Sequence, residues 1–212
     1  MTSTHSSAAC CSTPVPKATA DYTPKGTYQT LANTKTYITG PASATKALFH
    51  IYDIFGFRTP TLQGADILAS AGYLVVMPDF FAGSPAEPAW MDGSEEGGKN
   101  IGFCWGGKIV SLTSAGPSTH WKVGIQTSPA QVDPEDAKKI TIPSLMLASE
   151  GEDAETVRKW GESFDGEVAR VERSEKEVHG WMSARASLED GERRAEFERG
   201  YQVVLEFLGK YV

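Results

Sequence analysis

The sequence predicts an α/β domain: a doubly wound, mostly parallel sheet with helices on both faces. Three observations predict it. Short apolar runs of strand length alternate with segments of helical periodicity along most of the chain. One of the runs, Tyr73-Leu74-Val75-Val76-Met77, is almost continuously apolar, as a parallel strand covered on both faces must be. The chain also closes on an amphipathic stretch from Glu192 to Tyr211 that sets Phe197, Tyr201, Val204, Leu205 and Leu208 on one helical face.

The elements follow in order. Residues 1–27 are rich in Ser, Thr, Ala and Pro without periodicity and read as a poorly ordered lead-in, with the folded domain running from 28 to 212. Thr36 to Thr39 and Ala47 to Tyr52 read as strands, the second apolar enough to be central. Thr61 to Ala71 has Leu62, Ala65, Leu68 and Ala69 at helical spacing, and Gly72 stands where a glycine ends a helix. Pro78 ends the strand that follows. Val123 to Ile125 and Ser144 to Ala148 are short buried strands, Ala154 to Phe164 a helix and Val168 to Val171 a last strand.

One connection breaks the pattern. Residues 82–98 must cross between parallel strands, yet they carry Pro85, Pro88 and glycines at 83, 93, 97 and 98, which leave no room for a packed helix. The strand expected next, Lys99-Asn100-Ile101-Gly102-Phe103, is poor in apolar residues. One crossover helix is missing, and one face of the sheet is expected to need another cover, such as a second copy of the chain.

Composition bounds the function. The 212 residues are 40% apolar and 22% charged, a globular balance that excludes a disordered or fibrous chain. The formal charge of −7 disfavours nucleic acid as a partner. No apolar run approaches the ~18 residues of a membrane span, and the N-terminus lacks the charged and apolar regions of a signal peptide. A cytoplasmic protein acting on a small molecule, without nucleic acid or membrane, is the expectation. The three cysteines, Cys10, Cys11 and Cys104, make neither a disulfide framework nor a zinc set, so no metal or organic cofactor is expected.

The chemistry is carried by Gly102-Phe103-Cys104-Trp105-Gly106-Gly107, followed by the helix-like Lys108-Ile109-Val110-Ser111-Leu112. Small residues two before and two after a nucleophile permit a sharp strand-to-helix turn. At a helix N-terminus the dipole and free N–H groups favour a thiolate and can receive a developing oxyanion. An inert cysteine in a glycine-rich turn is the plain alternative, and a redox thiol a weaker one without a C-x-x-C motif. Of the four histidines, His5 lies in the lead-in, His50 in a strand and His120 before a strand. Only His179, in Glu177-Val178-His179-Gly180-Trp181, falls in the loop before the last helix where a general base would follow nucleophile and acid in chain order.

With these residues in place, the chain resembles the dienelactone hydrolase family of α/β-hydrolases from about Tyr28 onward, particularly its fungal members. The resemblance rests on Asp53-Ile54-Phe55-Gly56, on Ala71-Gly72-Tyr73 through Pro78-Asp79-Phe80-Phe81, on the cysteine turn and on His179-Gly180-Trp181. It implies hydrolysis of small esters or lactones, with Cys104 as nucleophile, His179 as base and the N–H groups of Ile54 and Trp105 as oxyanion hole. It also implies that Asp53, where the family has a glutamate, modulates the nucleophile.

Three departures stand out. Gly151 falls at the family's acid position, so Glu150, Glu152 or Asp153 must serve. Asp153 is chosen because it is an aspartate in the loop leading to the next helix, with a helix N-cap as its equal alternative. Gly83 stands near the place of a substrate-binding arginine, while Arg185 resembles a second such arginine shifted in spacing. The missing helix leaves open a catalytically impaired remnant, monomeric or weakly self-associating.

Overall fold

The computed structural model describes residues 17–87, 105–166 and 168–212. Cys104, Cys10, Cys11, His5 and the strand expected over Lys99 to Phe103 lie outside the described residues, as does most of the unusual connection before that strand.

Seven strands and five helices alternate in the described part. Strands β1 (Thr27–Leu31) and β2 (Thr34–Thr39) form a hairpin through Ala32 and Asn33, both at positive φ of 48° and 64°. The antiparallel β4 (Leu74–Pro78) pairs with β2, and β3 (Ala47–Phe49) runs parallel to β4, giving the order β1-β2-β4-β3. A second, all-parallel sheet has the order β5 (Gly124–Thr127), β6 (Ser144–Ala148), β7 (Ala169–Arg173). The helices are α1 (Thr59–Ser70), α2 (Trp105–Thr113), the short α3 (Pro134–Ala137), α4 (Ala154–Ser163) and α5 (Gly191–Tyr211).

Strand β6 shows how the two faces are covered. All five of its residues are buried, and they alternate between two cores. Leu145 and Leu147 join the cluster formed with α1 and α5, among Leu62, Phe197, Tyr201, Val204 and Leu208. Met146 and Ala148 join the cluster of α3 and α4, with Ala137, Val157 and Trp160. The period of two in a strand and an apolar stripe on each covering helix produce the doubly wound arrangement directly.

Local signals place the helix ends. Gly72 adopts φ +94°, and its N–H donates to the carbonyl of Ala69 at 3.0 Å, closing α1 at the predicted glycine. Asp190 caps α5, accepting from the N–H groups of Glu192 and Arg193 at 2.9 and 3.2 Å.

Three expectations change. The predicted strand over Ala47 to Tyr52 is regular only from Ala47 to Phe49. Its N–H pairing with β4 ends one residue later, where His50 donates to the carbonyl of Val76 at 2.9 Å. The hairpin strand β1, exposed along its whole length, gives no apolar alternation to read. The folded part also begins before Tyr28. Ala18 is buried, its N–H donates to Glu198 at 2.7 Å, and both the Tyr22 hydroxyl and the Lys25 N–H donate to the carboxylate of Asp66 on α1. Long-range polar pairs of this kind leave no periodic trace in a Ser/Thr-rich segment.

Candidate active site

Two glycines set the start of α2. A Cβ on Gly106 would lie 2.7 Å from the carbonyl oxygen of Ile51 and 3.0 Å from that of Tyr52. A Cβ on Gly107 would lie 2.9 Å from the Cα of Pro129. The first turn of α2, beginning at Trp105, therefore packs directly on the backbone that leaves β3, just before Asp53 and Ile54. Among the described residues nothing accepts from the N–H of Ile54. A cavity of about 500 Å³ borders this region, with Ile51, Asp53, Gly106 and Ser183 in its wall.

Histidine 179 follows β7 in a tight loop in which the Trp181 N–H donates to the Val178 carbonyl at 3.1 Å. Its Nδ1 lies 2.5 Å from Oε1 of Glu152, whose side chain is only 4% exposed. The other carboxylate oxygen of Glu152 accepts from the backbone N–H of Ser149, and from the Ser149 hydroxyl at 2.9 Å. The Ser149 Oγ in turn accepts from the N–H of Gly151 at 3.3 Å, which directs its single proton toward Glu152. A buried carboxylate is costly unless its lone pairs are engaged. Here one oxygen is held by two neutral donors and the other is left for the imidazole.

The geometry puts Glu152, not Asp153, beside the imidazole. Asp153 is exposed and caps α4, its Oδ2 accepting from the Thr156 N–H at 2.8 Å and the Thr156 hydroxyl at 2.7 Å. Those hydrogen bonds, the hydroxyl's first, hold its carboxyl below the ordinary range. A side chain committed to a helix end cannot also reach the imidazole. The sequence carried part of the signal: Asp153 stands three residues before Thr156 at the start of an amphipathic stretch, as a cap would, but this does not choose between Glu150 and Glu152. Gly151 sits beneath the histidine, where a Cβ would come within 3.1 Å of the His179 Cβ. The glutamate one position later reaches the same ring with a longer arm. Accordingly, Asp153→Ala is expected to lower the melting temperature by about 2–4 °C through the lost cap while leaving kcat unchanged. A thermal melt and an ester assay on the same preparation check both halves.

The remaining expected residues are scattered. Arg185 is exposed, its stem packed on Gly180, and among the described residues no carboxylate pairs with it. Asp53 is 5% exposed and points its carboxylate at the histidine loop, to Ser183 and Ala184. His50 sits where desolvation lowers its pKa to about 4, so it is neutral at physiological pH, and His120 is exposed. Among the described residues no group of His, Cys, Asp or Glu could hold a metal, and no helix is long and apolar enough to cross a membrane.

A histidine–carboxylate pair in the loops after parallel strands, beside a helix start packed through two glycines, fits the α/β-hydrolase fold. Solved structures agree. The chain resembles a putative dienelactone hydrolase from Klebsiella pneumoniae, with TM-score 0.64 at 17% identity over 88% of this chain and 98% of that one. It also resembles a monoglyceride lipase variant from Saccharomyces cerevisiae, with TM-score 0.59 at 12% identity over 91% and 97%. In sequence, an uncharacterised AIM2 family protein of Schizosaccharomyces pombe is 32% identical over 94% of this chain and 98% of its own length. A carboxymethylenebutenolidase homolog of Xenopus tropicalis is 26% identical over 91% and 93%. No family model matches. The chain belongs to the AIM2 family. The match to the S. pombe protein spans 246 aligned positions against the 212 residues of this chain, so part of that relative's length has no counterpart here.

Proposed function

We propose that the chain hydrolyses small carboxylic esters or lactones through a Cys104 thiolate, with His179 as general acid and base and Glu152 as the acid that orients it. The observation that carries this reading is the His179–Glu152 pair at 2.5 Å, its carboxylate buried and supported from behind by Ser149. The Cys104 sulfur attacks the ester carbonyl carbon, and the C=O π pair moves onto oxygen. The N–H groups of Ile54 and Trp105 donate to that oxyanion. His179 passes its proton to the leaving alkoxide as the ester C–O bond breaks, giving a thioester. Water, deprotonated by His179, attacks the thioester carbonyl and expels the thiolate. Glu152 holds the Nδ1 proton throughout, so that Nε2 is the atom that exchanges protons. No cofactor enters this scheme.

A second reading, a family remnant without catalysis, is favoured by the positions of the S. pombe relative that this chain lacks. Iodoacetamide labelling of Cys104 in the folded protein, from pH 5 to 9 and read by mass spectrometry, separates the two. Under the hydrolase reading Cys104 labels fast well below pH 8.5, ahead of Cys10 and Cys11. Labelling of all three along one ordinary thiol curve would establish the remnant.

A further inference from the structure

We infer that Asp53 is a positioning residue that ties the oxyanion loop to the histidine loop, rather than a modulator of the thiol; this rests on the hydrolase reading above. The carboxylate is buried and is held by donors from two loops. Its Oδ1 accepts from the N–H of Phe55 at 2.9 Å. Its Oδ2 accepts from the Ser183 hydroxyl at 2.6 Å and the Ala184 N–H at 3.1 Å.

The first bond folds the chain into an Asx-type turn over Ile54, and the Gly56 N–H closes the turn by donating to the Asp53 carbonyl at 3.1 Å, with Gly56 at φ +69°. The direction of the Ile54 N–H is thereby fixed by the same side chain that grips residues 183 and 184. The Ser183 N–H donates to the Gly180 carbonyl at 2.9 Å, so Ser183 is part of the turn that begins at His179. One carboxylate thus fixes an oxyanion donor and the base relative to each other. Among the described residues no cation pairs with Asp53, and three N–H or O–H dipoles stabilise its charge instead. Both carboxylate oxygens are thus engaged by donors of the two loops.

The two roles separate in experiment. Ser183→Ala removes one donor, Ser183→Thr keeps it, and Asp53→Asn sets an amide NH2 against the backbone N–H of either Phe55 or Ala184. Expected for Ser183→Ala is a several-fold fall in kcat for p-nitrophenyl acetate with KM little changed, recovered in Ser183→Thr, and a fall of about tenfold or more for Asp53→Asn. The pH midpoint of Cys104 labelling stays at the wild-type value in all three. Amide hydrogen exchange in Ser183→Ala rises in both 53–56 and 179–184. A shift of about one pH unit in the Cys104 midpoint of Asp53→Asn would overturn the inference in favour of thiol modulation. Faster exchange confined to 179–184 would overturn it as well. If the wild-type protein neither labels early nor turns over ester, the hydrolase reading fails, and the exchange result alone still decides whether Asp53 couples the two loops.

Discussion

Glu152→Gln is expected to lower kcat by about 10³- to 10⁴-fold with little change in KM, the scale seen when a triad acid becomes an amide. The size follows from the direction of the hydrogen bonds. Ser149 presents its N–H and its O–H to one oxygen of Glu152, and both are donors. An amide nitrogen at that place would meet two donors, so the glutamine must put its oxygen there and turn its NH2 toward Nδ1 of His179. The imidazole then accepts at Nδ1 and carries its proton on Nε2, where the mechanism needs a free base. Steady-state hydrolysis of p-nitrophenyl acetate by Glu152→Gln and Asp153→Ala, side by side, checks the assignment. Full activity in the first with loss in the second would return the acid role to Asp153. Ser149→Ala removes one of the two donors and should fall between wild type and Glu152→Gln.

Gly106→Ala should be the most damaging single methyl addition at the site. The added carbon would lie 2.7 and 3.0 Å from the carbonyl oxygens of Ile51 and Tyr52, which are main-chain atoms with no rotamer to escape into. Either β3 or the start of α2 must move, and overpacking of this kind costs about 1–3 kcal/mol. The same displacement moves Trp105 away from Ile54, and a misplacement of about 1 Å costs roughly 10²-fold in rate. Expected is a lower denaturation midpoint together with loss of turnover. Gly191→Ala, at the open start of α5 where the nearest atom is the flexible Arg194 guanidinium at 4.0 Å, is the control and should melt like the wild type. Equal stability and activity in Gly106→Ala would show that the close approach does not govern the site.

Much of this was legible in the chain. The apolar run before Pro78, the glycine after α1 and the one-sided pattern of α5 all act within a few residues, so periodicity and capping suffice to read them. His179 stood out for the same local reason, as a motif with fixed neighbours, while the cysteine turn lies outside the described residues. At residue 153 two local roles, cap and acid, competed for one aspartate, and the structure shows it in the cap. Only packing decided between them.

By itself, then, the sequence determined the alternation of strand and helix and the fold class, and it singled out a candidate nucleophile and a candidate base. It could not determine the partner of His179, 27 residues back along the chain, or the grip of Asp53 on Ser183, 130 residues away. Nor did it show that Ala18, Tyr22 and Lys25 would be drawn onto α1 and α5. Helix caps and strand periods are set by neighbours on the chain, whereas a buried carboxylate is satisfied by whichever donors the fold brings to it.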